Sequence, residues 1–177
     1  MDGFHPVYEL VFVPIELTTS QKGGVAELKI AAEASDLGVD VYRPMIDGAR
    51  CDLIFDTGAQ LLRIQCKWAA LNGEVVVIRL RTCRHTPSRG YIRKTYSADE
   101  IDGIAAYCRE LERCFFLPIR EFDCRSHVHL RLAPARNNQM VGVKMAVDYP
   151  LGAVAQLGER RHGMAEARGS SPLSSIR

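Results

Sequence analysis

Between Cys51 and Trp68 the chain carries two strands and the turn that joins them. Cys51-Asp52-Leu53-Ile54-Phe55-Asp56 is a short apolar run with aspartate at its solvent end, and Thr57-Gly58-Ala59-Gln60 supplies a turn. Leu61 to Trp68 then alternates, which sets Leu61, Arg63, Gln65 and Lys67 on one face and Leu62, Ile64, Cys66 and Trp68 on a core face. Two such strands across a short turn form an antiparallel hairpin, so the fold has to contain a sheet with this hairpin in it. Gln65 and Lys67 share a face close to Asp52 across the ladder. A lysine buried on a strand needs an anionic partner, and Asp52 or a substrate phosphate meets that need.

The same hairpin carries chemistry. An aspartate can hold a hard divalent cation, and the backbone carbonyl of Cys66, one residue before the lysine, can complete a ligand set. The Lys67 ammonium can steer an attacking water. This is the layout of a metal-dependent phosphodiesterase, and the chain reads as a nuclease. Upstream, Ser20 as N-cap, a stripe of Val25, Leu28, Ala32 and Leu37, and a stop at Gly38 predict a helix, followed by a first strand from Val39 to Pro44. Glu27 lies on that helix among Gly24, Ala26 and Ala31, where its carboxylate can face a site. Standing alone it would be an ordinary solvated glutamate.

Lys22-Gly23-Gly24-Val25-Ala26-Glu27, Tyr42-Arg43-Pro44, Cys51-Asp52-Leu53-Ile54 and Arg63-Ile64-Gln65-Cys66-Lys67, in that order, resemble the PD-(D/E)XK nuclease superfamily. The branch they resemble is that of the group I intron-associated homing endonucleases, which is also similar to archaeal Holliday-junction resolvases. The resemblance continues through Glu100-Ile101-Asp102, Phe116-Leu117-Pro118-Ile119 and Asn137-Asn138-Gln139 to Ala146-Val147-Asp148-Tyr149-Pro150-Leu151, covering residues 20–151. It implies an α/β fold with a restriction-endonuclease-like core, a mixed central sheet flanked by helices, cutting DNA with magnesium or manganese. By the same resemblance Asp52 is the principal metal ligand, Lys67 the motif lysine and Glu27 the helix carboxylate. Gln65 stands where most members have Glu or Asp; it keeps a carbonyl oxygen and removes one negative charge. Such a site is expected to bind magnesium weakly, through Asp52, Glu27 and the Cys66 carbonyl. A junction resolvase, or an inactive DNA-binding relic of the fold, remains as the alternative to a homing enzyme.

From Val75 to Ala98 there is no acidic residue, while Arg79, Arg81, Arg84, Arg89, Arg93 and Lys94 carry positive charge. Val75 to Leu80 reads as a strand, and Thr82 to Tyr91 as a basic loop able to track a phosphate backbone, with Tyr91 and Tyr96 available to stack on bases or pack on sugars. Arg136, Asn137, Asn138 and Gln139 place amide side chains beside positive charge, a combination that can read adenine edges and that also populates turns. Residues 97–119 are ambiguous. Ser97 with Glu100 resembles a capping box, and Ile101, Ile104, Ala105, Cys108 and Leu111 suit a helix. The family resemblance instead implies strands at Gly103–Tyr107 and Cys114–Ile119, and Gly103 disfavours the helix. The hairpin is preferred for the second half and the first half stays open. His127 to Leu132 alternates as another strand. Its two histidines share a face, a solvated one rather than a metal site, because no third ligand is in reach by sequence.

With 177 residues, 47% of them hydrophobic, the chain suits one globular domain, and a net charge of +2 leaves nucleic-acid binding to local charge. The six cysteines form no CxxC pair and read as reduced, buried thiols. No stretch is long enough for a membrane span and the N-terminus lacks a signal pattern, so the expected location is the cytoplasm. The expected partners are double-stranded or branched DNA and further copies of the chain, as dimer or tetramer. Residues 1–19 read as an N-terminal extension, 20–151 as the nuclease-like domain and 152–177 as a disordered tail. Within that tail Gly152 to Arg160 and Arg168-Gly169-Ser170-Ser171-Pro172 resemble a tRNA gene translated in one frame, so no folded role is expected after about Leu151.

Overall fold

The computed structural model describes residues 16–46, 48–86, 90–123, 125–134 and 142–155, with the side chains of 83–86 and 91–93 excepted. It opens with helix α1 (Thr19–Asp36). The cap is Thr18, two residues upstream of the serine expected from sequence. Thr18 Oγ1 accepts from the Gln21 amide at 3.3 Å while Gln21 Oε1 accepts from the Thr18 amide at 2.9 Å, a reciprocal box that needs Gln three residues after the cap. The helix ends at Gly38, whose φ of +79° suits a residue without Cβ. Its buried face is Ala26, Ile30 and Ala34, not the expected stripe, and Leu28 is 72% exposed. Two alanines on the inner face let the helix backbone lie close to the sheet, and this phase turns Glu27 partly inward.

The strands follow as β1 (Asp40–Tyr42), β2 (Leu53–Asp56), β3 (Leu61–Asn72), β4 (Val75–Arg79), β5 (Arg81–Thr86), β6 (Gly90–Thr95), β7 (Gly103–Cys108), β8 (Arg113–Pro118), β9 (His127–Arg131) and β10 (Lys144–Met145). Among the described residues, eight of them form one mixed sheet in the order β1-β2-β3-β4-β9-β10, with β7 pairing β3 and β8 pairing β7. β1-β2-β3 is antiparallel, with Leu53 opposite Ile64 and Asp56 opposite Leu61, as the hairpin pattern predicts. β3 is long enough to serve three neighbours: Ile64 to Ala69 run parallel to Gly103 to Cys108 of β7, and Ala70 to Asn72 turn back against β4.

α1 covers one face of the sheet, packing with Phe55, Leu62, Ile64, Cys66, Tyr107 and Phe116. The other face buries Ile78, Leu80, Ile104, Phe115, Leu117 and Leu130 with Tyr96. Every residue of β7 is buried because both of its faces are covered. A strand buried on two sides reads as a continuous apolar run rather than an alternating one, which is why this stretch also suited a helix. The hairpin between β7 and β8 closes around Arg109–Leu111. The expected basic loop is itself a hairpin: β5 and β6 pair from Arg81 with Thr95 to Thr86 with Gly90. Packed chain continues past Leu151, since Val154 is 1% exposed against the α1 side of the core.

Arg63 and Asp102 lock β3 to the start of β7. Asp102 Oδ2 accepts from the Arg63 amide at 2.8 Å and from Arg63 Nε at 2.9 Å, while Arg63 Nη1 donates to the Asp99 carbonyl at 2.6 Å. Burial raises the Asp102 pKa, but the hydrogen bonds from Arg63 outweigh it and hold the carboxyl below its ordinary range. A lowered folded-state value means stability that is present above the ordinary aspartate range and is lost as pH falls through the folded value. Asp102→Ala is expected to cost about 1–2 kcal/mol at neutral pH, the magnitude for charged hydrogen bonds discounted for partial exposure. The difference should shrink in urea titrations run at acid pH; a variant as stable as wild type at pH 7 would contradict this role.

Candidate active site

The β2–β3 pairing stops at Leu53 opposite Ile64, so among the described residues β2 does not pair with the next stretch of β3. Asp52, one residue before β2, fills that gap. Its amide donates to the Ile64 carbonyl at 2.9 Å, and its Oδ2 accepts from the Cys66 amide at 2.8 Å and from Gln65 Nε2. The N–H and C=O of one strand residue point to the same side, so the Cys66 carbonyl faces the gap as well. Asp52 is thus held by β3 at the start of β2. Burial raises its pKa, and the Cys66 amide, Lys67, Gln65 and Arg43 offset only part of that rise.

Two groups of residues meet at Asp52. On the helix side, Glu27 lines the same cleft as Arg43, Pro44, Ile46, Cys51 and Asp52. Its pKa is also raised, by burial first and then by the charge on Asp52. Arg43 Nη2 lies 3.3 Å from Glu27 Oε2, with the arginine side chain 71% exposed and the glutamate 26%. On the opposite face are Gln65 and Lys67, beside Ile104 and Ala106 of β7 in register. Lys67 is largely enclosed and burial lowers its pKa, a shift that the charge on Asp52 partly opposes. Its ammonium donates to Tyr96 Oη at 2.8 Å.

Glu27, Asp52, Gln65 and Lys67, singled out from sequence, therefore converge on one point. Arg43 and Tyr96 join them without having been singled out for this site. Arg43 entered the sequence reading only within the Tyr42-Arg43-Pro44 segment, and Tyr96 stands 29 residues from Lys67 in the chain. Gln65 has a clear electrostatic consequence: a carboxylate in its place would face Asp52 as a like charge, whereas the amide donates to it.

The donors gathered here are oxygens: two desolvated carboxylates, a strand carbonyl and an amide side chain. Two carboxylates whose pKa values burial raises, with the charge on Asp52 adding to the rise at Glu27, suit a hard divalent cation, so the residues fit such an ion. Among the described residues no cluster of three or more His, Cys, Asp or Glu offers a metal site, so the amide and the carbonyl would have to supplement Asp52 and Glu27. The paired histidines of β9, with ring centres 4.9 Å apart, belong to no such cluster.

Of the basic residues expected to meet DNA, Arg79 and Arg81 are exposed at the junction of β4 and β5. Lys94 is not a free charge: Glu100 pairs with it and also accepts from Arg50 Nη1 at 2.7 Å. The acid-free window from Val75 to Ala98 ends two residues short of this partner. The side chains of Arg84 and Arg93, and all of Arg89, Asn137, Asn138 and Gln139, lie outside the described residues. The four cysteines whose side chains are described, Cys51, Cys66, Cys108 and Cys114, are free thiols. Among the described residues no helix is long and apolar enough to cross a membrane.

A mixed sheet with a flanking helix, an aspartate at a strand end and a lysine on the neighbouring strand is the architecture of a nuclease core. Residues 17–151 match the model of the PD-(D/E)XK endonuclease family, and the chain belongs to that family. Among solved structures it is similar to that of a bacterial homing endonuclease, I-Ssp6803I, with a TM-score of 0.65 and 24% identity over 82% of this chain and 98% of that one. At that identity the likeness speaks to the fold. No curated protein matches the chain significantly.

Proposed function

We propose that the chain is a divalent-metal-dependent DNA endonuclease of homing type, carried by a mobile element and acting as a dimer or tetramer. The observation that carries the reading is the meeting of Glu27 and Asp52, both desolvated, with Gln65 and Lys67 behind them. Magnesium or manganese would be held by Asp52, Glu27 and the Cys66 carbonyl. When bound, such an ion supplies positive charge that polarises a phosphate and acidifies a water. Asp52 is oriented for this by the Cys66 amide and Gln65. Lys67 keeps an ammonium in a low-dielectric pocket, where it orients the attacking water and offsets charge gathering on phosphorus in an in-line displacement. No side chain is needed as a covalent nucleophile. Two copies of the site are required to cut both strands of a duplex, which is the basis for a symmetric assembly. The homing assignment draws on the fold shared with I-Ssp6803I and on the tail's resemblance to a tRNA gene.

Gln65 supports a second reading, an inactive DNA-binding relic, because it withholds the third carboxylate. The test is cleavage of DNA spanning the source locus, with and without magnesium or manganese, beside Lys67→Ala and a four-way junction. Discrete metal-dependent products from linear duplex are expected, falling about a thousandfold or more in the variant, as loss of a buried charge-stabilising group predicts. Preference for the junction would reassign the enzyme as a resolvase. Binding without cutting under either ion would favour the relic, with Gln65→Glu as the restoring substitution.

A further inference from the structure

A lysine side chain has four rotatable bonds, and an ammonium taken out of water needs acceptors that hold it in one place. Lys67 stands on β3 at the sheet face opposite α1, and among the described residues its side chain makes one hydrogen bond, to Tyr96 Oη at 2.8 Å. Tyr96 is itself 6% exposed and belongs to the core on that face, packed with Leu80, Ile101 and Ile104. Its ring is therefore a rigid post, and its hydroxyl is the part turned toward the ammonium. A phenol oxygen also differs in kind from a carboxylate. It accepts one hydrogen bond from the ammonium without cancelling the positive charge, so the charge and the two remaining N–H groups stay available to water and phosphate.

Position in the chain adds to this. Tyr96 directly follows β6, the second strand of the basic hairpin. Lys94, two residues earlier, is tied to Glu100, which also binds Arg50. The base of the hairpin is thus anchored on both sides of Tyr96.

We infer that Tyr96 is a positioning residue for cleavage, holding the Lys67 ammonium in its working orientation from the foot of the β5–β6 hairpin. This rests on the nuclease reading of Lys67 given above. Without the hydroxyl, Lys67 keeps its charge but samples several rotamers, and a misplaced catalytic group slows the chemical step while substrate binding is unaffected.

The test is Tyr96→Phe, which keeps the ring and its packing. Its cleavage of a supercoiled plasmid bearing the source locus should show kcat lowered about 10- to 100-fold with KM unchanged, the range expected for one charge-assisted hydrogen bond. Combined with Lys67→Ala, it should add nothing further, because both act through one ammonium. A second readout does not need activity: proton–nitrogen spectra of the lysine side chains should show a slowly exchanging Lys67 ammonium in wild type, absent from Lys67→Ala and lost or broadened in Tyr96→Phe. Unchanged kcat and an unchanged ammonium signal in Tyr96→Phe, beside an inactive Lys67→Ala, would overturn the positioning role and leave the nuclease reading intact. Full activity in Lys67→Ala would overturn the reading itself and the role of Tyr96 with it.

Discussion

Asp52→Asn is expected to lower DNA cleavage about a thousandfold, roughly 4 kcal/mol of lost transition-state stabilisation, while leaving the fold as stable as wild type or more so. The two halves of this result have one cause. Asp52 Oδ2 accepts from both the Cys66 amide, at 2.8 Å, and Gln65 Nε2, and an asparagine oxygen in the same place can accept from both. What the substitution removes is the charge, and that charge is poorly tolerated: burial raises the pKa of Asp52, and the charge is one cause of the rise at Glu27. The sign follows from proton binding. A carboxyl whose folded value is raised holds its proton longer in the folded chain, so its ionisation costs stability as pH climbs out of the ordinary aspartate range. The variant should gain on wild type over that window. Manganese should raise the melting temperature of wild type and leave that of Asp52→Asn unmoved, as expected for a ligand that binds only the intact site. Cleavage by Asp52→Asn within tenfold of wild type would remove Asp52 from the centre of the site.

Asp52, Gln65 and Lys67 were legible in the sequence because one hairpin carries them. Period-two alternation sets the faces, and the short turn sets which residues meet across the ladder. Glu27 was visible chiefly through the family resemblance, since a helix glutamate alone is most often solvated. Arg43 and Tyr96 were not legible as parts of the site because their contacts are made by tertiary packing. Tyr96 in particular reads locally as an aromatic next to a basic segment. The charge pattern misled in a related way: counting along the chain showed no acid near Lys94, yet Glu100 reaches both Lys94 and Arg50 in space. The face of α1 was missed for a steric reason. Apolar size favoured Leu28 and Leu37, whereas close approach to the sheet favours Ala26 and Ala34.

Gly103→Ala is expected to cost about 2–3 kcal/mol, near the upper range for overpacking a core by one methyl group. Gly103 opens β7, opposite Ile64 of β3 on one side and Pro118 of β8 on the other. A Cβ at this position would collide with Phe116 Cε2 and stand 2.6 Å from Phe116 Cζ. The ring has little freedom to yield: Phe116 is 2% exposed, its amide donates to the Tyr149 carbonyl at 3.0 Å, and its side chain packs in the core beneath α1. The glycine that argued against a helix from sequence therefore has a second role, making room for an aromatic from the adjacent strand. Phe116→Leu alone should also destabilise, by leaving space. Combined with Gly103→Ala it should cost less than the sum of the two, since the added methyl occupies part of that space. Urea midpoints of the four proteins give the coupling. Additive costs would show that the two residues do not share one volume. An unchanged midpoint for Gly103→Ala would mean that β7 and β8 can part at this point, and that the strand pairing beside Asp102 and Gln65 is looser than the register implies.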